Sequence, residues 1–301
     1  MPEPVWATPA PRTLLFATDL SARCDRALDR AVMLAQAWRS RLVAVHAIEE
    51  TNALYATGLQ QPLPSWRLPP DPAHVAEEQL RHDVRQGGRI AVTVVERGEP
   101  VDVILRALDT YKCELIVTGI ARDETLGRFI LGRTVDRLLR GSTVPVLVVK
   151  QRARAMYRAV VVAVDLSAAS CLALQTAAAF FPTARLGVFY AYRAPMAALA
   201  EDPNRYRHEY REAARRECEA FLDGCAIPAE QRRRFELTIE PGDPNYLLRQ
   251  YVRDRRIQLV VLGTHNQSAL FDILVGSTAK EIMSSLACDV LVVPRSSASE
   301  D

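Results

Sequence analysis

Val160-Val161-Val162-Ala163-Val164-Asp165-Leu166-Ser167 is an apolar, β-branched run closed by a carboxylate and a hydroxyl. Leu14-Leu15-Phe16-Ala17-Thr18-Asp19-Leu20-Ser21 has the same form 146 residues earlier. Runs apolar at nearly every position read as strands buried on both faces, as in parallel sheets. Outward from this pair, Gly98-Glu99-Pro100 returns as Gly242-Asp243-Pro244, and Leu115–Gly119 returns as Leu259–Gly263. Gly132 returns as Gly276, and Val146–Val149 as Val290–Val293, all at a constant offset of 144. One unit therefore occurs twice, and the positions where the copies differ carry the information.

The chain has 301 residues, which fits two domains of ordinary size. Its composition, 49% hydrophobic and 25% charged, is that of a globular protein. With 38 basic and 36 acidic residues, the balance does not point to nucleic acid or a membrane surface as partner. Arginines cluster at 205–216 and 232–234, but Glu209, Glu212, Glu217 and Glu219 interleave with the first group, as on a solvated helix face. The N-terminus lacks the apolar run of a secretory signal, and no stretch is apolar enough to span a bilayer. The six cysteines are scattered without a CxxC pair, so free thiols in a reducing cytoplasm are expected.

In each copy, short apolar runs alternate with helical patterns, the signature of βαβ units. In copy one the strands are expected at Thr13–Thr18, Leu42–Ile48, Ile90–Val95, Leu115–Thr118 and Val146–Val149. Helices are expected at Cys24–Trp38, Pro72–Gln86, Val101–Lys112 and Thr134–Arg140. In copy two the strands are Val160–Val164, Leu186–Ala191, Phe235–Ile239, Leu259–Leu262 and Val290–Val293, with a long helix at Pro203–Leu222. The fold class is α/β: two Rossmann-like domains of flavodoxin-type winding, each a five-stranded parallel sheet flanked by helices. Ligands should then sit beyond the carboxyl ends of the strands, at the switch point. Thr51–Asp71, with four prolines and Trp66, is expected to be a packed surface excursion.

The residues just after strands one and four are Asp165 and Gly263 in copy two. Gly263-Thr264-His265-Asn266 is followed, nine residues on, by Gly276-Ser277-Thr278 opening a helix. Glycine allows close backbone approach to a phosphate, and a helix start offers unpaired N–H groups. Ser277 and Thr278 add hydroxyls, His265 could touch a phosphate, and Asp165 can accept from a ribose. Together they make a nucleotide cradle, although tight turns and a helix cap would give the same pattern.

These motifs resemble those of the universal stress protein family, over about residues 12–150 for the first domain and 158–295 for the second. Val-Ala-Val-Asp at strand one, Gly-Asp-Pro, Gly263-x2-Asn266-x9-Gly276-Ser277 and the terminal Cys288–Val293 carry the resemblance. It implies a fold like the adenine nucleotide alpha hydrolases. It also implies ATP binding through a G-x2-G-x9-G-[S/T] motif, with Mg2+ arriving only with the nucleotide. The strand-one Asp would contact ribose, and Ala47 or Ala191 would lie near adenine. The domains would pair inside the chain as a pseudo-dimer, and a homodimer is allowed. The expected role is a cytoplasmic stress-response sensor acting through conformation or an unidentified protein partner.

Two departures matter. In copy two Asn266 stands for the second Gly; it tolerates left-handed backbone but could crowd a phosphate. In copy one Gly119 and Gly132 remain, but Arg122 and Arg133 replace the second Gly and the hydroxyl, leaving Thr134. Arg133 fills the phosphate site, joins Arg122 and Arg128 in a basic pocket for another anion, or has a purely surface role. Copy two, with Asp165, Ala191, Gly263, His265, Asn266, Gly276, Ser277 and Thr278, is thus expected to bind ATP. Copy one, with Asp19, Gly119, Arg122, Gly132, Arg133 and Thr134, is the degenerate site. His46, ending a strand, is read as a core residue making one hydrogen bond. Ser21 and Ser167 are read as cap or turn residues, not nucleophiles. There is no Walker A sequence, no zinc spacing and no identifiable general base. No catalytic residue or metal site is assigned. A nucleotide-free scaffold and a weak ATPase are the alternatives.

Overall fold

The computed structural model describes residues 10–49, 71–86, 92–123, 128–193, 203–264, 283 and 285–294. The excursion at 51–70 lies outside these. The first unit contains β1 (Thr13–Thr18), α1 (Asp25–Trp38), β2 (Arg41–Ile48), α2 (Pro72–Gln86), β3 (Val92–Arg97), α3 (Pro100–Tyr111) and β4 (Leu115–Gly119). In chain order two three-residue strands follow, β5 (Ala121–Asp123) and β6 (Arg128–Ile130), residues 123–131 clustering with the second unit; α4 (Arg133–Gly141) and β7 (Val146–Val149) complete the first. The second contains β8 (Ala159–Val164), α5 (Ala168–Phe180), β9 (Arg185–Tyr192), α6 (Pro203–Gly224), α7 (Ala229–Arg232) and β10 (Glu236–Pro241). It ends with α8 (Pro244–Asp254), β11 (Leu259–Gly263) and β12 (Asp289–Val293).

In the first unit the parallel order is β3-β2-β1-β4-β7, and in the second it is β10-β9-β8-β11-β12. Counted within a unit, both are 3-2-1-4-5. The Rossmann-like class is as read from sequence, but the flavodoxin-type winding, 2-1-3-4-5, is corrected. Strand periodicity shows which runs pair; it does not say on which side of strand one the third strand settles.

The central strands are buried along almost their whole length. Leu14, Leu15, Ile116, Val117, Val161, Val162, Val260 and Val261 are all at or below 1% exposure in their sheets. Each such side chain contributes roughly 1.5–3 kcal/mol relative to exposure. Helix α1 presents Ala27, Ala31, Leu34 and Ala35 to its sheet, the i, i+4, i+7, i+8 stripe of an amphipathic helix.

The Gly-acid-Pro repeat is a strand-to-helix junction. Gly98 and Gly242 take φ of +146° and +143°, open to glycine at little cost. Glu99 caps α3 by accepting from the Val101 and Asp102 N–H groups, and Asp243 caps α8 by accepting from the Tyr246 N–H. Proline then begins each helix, where its missing N–H costs nothing.

The second unit is tied at its start. The Tyr157 hydroxyl donates to Asp289 Oδ2 at 2.5 Å, in a fully buried setting. Gln258 Oε1 accepts from the Arg158 and Ala159 N–H groups. In the first unit, Arg26 and Arg30 of α1 donate to the carbonyls of Lys150 and Ala155.

The arginine-rich helix α6 carries the Arg205–Glu209 and Arg215–Glu219 pairs at i, i+4, the solvated-face reading of that segment. The free-thiol expectation is corrected at one pair. Cys171 in α5 and Cys225 beyond α6 are disulfide-bonded, with Cα atoms 5.4 Å apart and the two residues 54 positions apart in sequence. Tertiary packing alone brings them together, so no local spacing signals the bond. Cys24, Cys113, Cys218 and Cys288 are buried and outside any disulfide. Thiol titration of the denatured chain, purified without reductant, should give four free thiols and six after reduction; six before reduction would exclude the bond.

Candidate functional site

Strand one ends on its carboxylate in both units, and the turn that follows is the same. Leu20 and Leu166 adopt left-handed backbone, φ 59° and 63°. That costs a non-glycine residue roughly 1–2 kcal/mol. The turn lets the acid fold back onto its own chain. Asp19 Oδ1 accepts from the Ser21 N–H at 2.9 Å, the Ser21 hydroxyl at 2.6 Å and the Cys24 thiol at 3.3 Å. Asp165 Oδ1 accepts from the Ser167 N–H at 3.1 Å and the Ser170 hydroxyl at 2.5 Å. Ser167 also caps α5 by accepting from the Ser170 N–H, as its cap reading expects.

Sequence reasoning did not single out Cys24 or Ser170. The repeat offset of 146 superposes them, and both are donors, which is the signal that was available. Burial raises the Asp19 pKa, but the Ser21 and Cys24 hydrogen bonds outweigh it and hold the carboxyl below 3.8. Burial pushes the Cys24 thiol up to about 11, so at neutral pH it stays protonated and donates.

The strand-four glycines have a part in helix–strand packing. A Cβ on Gly263 would lie 2.2 Å from the Ala169 carbonyl oxygen, and one on Gly119 would lie 3.0 Å from that of Arg23. Both face the start of the first helix of their unit. Their smallness is therefore already used by helix–strand packing.

In the first unit a cavity of about 250 Å³ opens at the carboxyl ends of the strands, beside the β1–β4 switch point. Asp19, Gly119, Gly132 and Thr134 line it, together with Thr18 and Ala47. Arg133 is exposed and is not among the lining residues, so its side chain does not fill the cavity. Its place at the first turn of α4 directs it to solvent. The side chains of Arg122 and Arg128 lie outside the described residues. His46 Nδ1 lies 3.0 Å from the Thr18 carbonyl, the single hydrogen bond read for it.

In the second unit Asp165, Ala191 and Gly263 hold the equivalent strand-end positions. His265, Asn266, Gly276, Ser277 and Thr278 lie outside the described residues. Among the described residues no cluster of His, Cys, Asp or Glu could hold a metal ion. Nor is any helix there long and apolar enough to cross a membrane.

Two expectations follow. Gly263→Ala should lower stability by about 1–3 kcal/mol through overpacking, read as a lower urea midpoint; an unchanged midpoint would show the approach is not tight. A folded-state pKa below 3.8 means Asp19 stabilises above that value and loses its contribution as pH falls through the folded value. The urea midpoint gap between wild type and Asp19→Asn should therefore be present at pH 7 and shrink by pH 3, whereas a gap equal at both would contradict the ionised-state account.

The universal stress protein family model matches residues 11–150 and 156–294. A solved structure of a candidate universal stress protein from Pseudomonas aeruginosa UCBPP-PA14 is 22% identical, covers 95% of this chain and 94% of its own, and gives a TM-score of 0.63. A universal stress protein from Archaeoglobus fulgidus DSM 4304 is 17% identical over 94% of this chain and 98% of its own, with a TM-score of 0.64. At such identities these likenesses speak for the fold. No curated protein is similar enough to match. With the family model matched once over each half, the chain belongs to the universal stress protein family as a tandem member.

Proposed function

We propose that the second domain binds ATP and that the protein acts as a cytoplasmic stress-response regulator through conformation or a protein partner. The observation that carries this reading is the strand-end carboxylate. Asp165 stands at the switch point, held in one orientation by Ser167 and Ser170. A fixed carboxylate there can accept from a ribose diol, and its copy-one counterpart borders an open cavity. Gly276, Ser277 and Thr278 would supply the N–H groups and hydroxyls for phosphate, with Mg2+ entering on the nucleotide. Pairing of the two domains as a pseudo-dimer belongs to the same proposal.

The described residues supply no positioned general base, so turnover is not part of the reading. A nucleotide-free scaffold is the second reading, favoured because Asp165 Oδ1 already accepts two donors from its own chain. The Cys171–Cys225 bond weighs against the cytoplasmic part, since disulfides persist in oxidising compartments.

Calorimetric titration of the full chain with Mg-ATP should show binding that Asp165→Asn weakens by roughly tenfold or more, the loss of a hydrogen bond to a charged group. No heat of binding in the wild type supports the scaffold. Release of ADP and phosphate during the titration supports the weak ATPase.

A further inference from the structure

Helix α6 reaches the ligand end of the second unit. Glu240 stands one residue from the end of β10, and the Arg211 guanidinium lies 3.8 Å from its carboxylate. Tyr190 of β9 pairs in register with Val164, the last residue of β8. Burial first, then Glu217, Cys218 and Asp165, push the Tyr190 pKa up, so α6 and the strand-end acid both act on that ring. Ala214, Cys218, Leu222 and Cys225 are buried, the stripe of one helix face. Helix α6 is thus a strap from the end of β10 to the start of α5, where Cys225 is bonded to Cys171.

Cys171 bears directly on the hold over Asp165. Its N–H donates to the Ser167 carbonyl at 3.0 Å. Ser170, the residue before it, donates its hydroxyl to Asp165 Oδ1 and accepts from the Asp165 N–H at 3.0 Å. The Ser170 N–H in turn donates to the Ser167 hydroxyl. Copy one lacks the link. The offset of 146 sets Asp25 against Cys171, and the offset of 144 that holds at the strands on both sides of α6 sets Arg81 against Cys225.

Cys171 is half-buried, whereas Cys225 is 1% exposed. An incoming thiolate therefore meets the Cys171 sulfur. It forms a mixed disulfide there, the Cys171–Cys225 bond breaks, and Cys225 leaves as a thiolate that takes up a proton. The second thiolate of a dithiol reductant then displaces Cys171, which also takes up a proton. The protein gains two thiols, and the dithiol is oxidised to a disulfide. A bond that opens and closes in this way suits a reducing compartment, where persistent ones are rare.

We propose that the Cys171–Cys225 bond is a redox switch that sets how firmly Asp165 is held, tight when oxidised and loosened when a dithiol opens it. That the switch governs a ligand rests on the reading that Asp165 meets a nucleotide; the loosening itself does not.

The test is hydrogen exchange of the full chain, oxidised with glutathione disulfide or reduced with dithiothreitol, read on peptides covering 165–172. Exchange there should be roughly tenfold faster in the reduced chain, and reoxidation should restore it. The copy-one counterpart, 19–26, and the strand 159–164 should not change. A chain carrying both Cys171→Ser and Cys225→Ser should exchange like the reduced protein, with or without dithiothreitol. Equal exchange at 165–172 in the two states, a loss of protection that extends to 159–164, or six free thiols after oxidation would each overturn the switch. Affinity for Mg-ATP should fall roughly threefold or more on reduction, as a pre-oriented carboxylate is lost. Equal affinity in both states would overturn control of the ligand. Redox-dependent exchange with no Mg-ATP binding in either state would overturn the nucleotide reading and leave the switch standing.

Discussion

The closeness of the first helix to the fourth strand governs everything at the ligand end of each unit. In the second unit a single methyl group on Gly263 would overlap the Ala169 carbonyl, and in the first one on Gly119 would press against the Arg23 carbonyl at 3.0 Å. That approach sets where the first helix starts. The start then sets the loop after strand one, which must turn through a left-handed leucine to reach it. The turn aims the acid, and the first residues of the helix supply the donors that hold it. Removing the contact would disturb a chain of dependent geometry, not one packing interaction.

The duplication separates what the frame demands from what a ligand demands. Frame features recur in both copies. These are the glycines at positive φ, the acid caps with their prolines, the left-handed leucines, and a left-handed Lys112 matched by Arg256. The copies also differ at positions near the carboxyl ends of the strands. Cys24 stands opposite Ser170, Thr18 opposite Val164, and Arg133 opposite Ser277. The copies share a scaffold under strict steric rules.

Strand positions were legible in the sequence because buried parallel strands announce themselves as continuous apolar runs, and the observed ends differ from expectation by at most two residues. The strand order was less legible, since periodicity carries no information about neighbours. The acid at strand one was legible because it closes a buried apolar run. The helix packing of the strand-four glycine was not, because a sequence cannot say whether a missing Cβ leaves room for a phosphate or for a helix. The Cys171–Cys225 bond and the Cys24–Asp19 contact were not seen: the first pair is 54 residues apart, and the second needed the copies to be superposed. A surface role was one of three readings open for Arg133, and spacing could not choose among them, because it gives no direction to a long side chain.

The buried contact between Tyr157 and Asp289 joins residues 132 positions apart. Its consequence belongs to synthesis on the ribosome. The sheet of the first unit is complete once Val149 has emerged, whereas the second cannot seat its opening tyrosine until its final strand exists. At about 5–20 residues per second the two events are separated by roughly 7–30 seconds. For that interval the nascent chain carries one finished domain and one whose strands lack their last partner, so the order of translation itself gives the two copies different early histories.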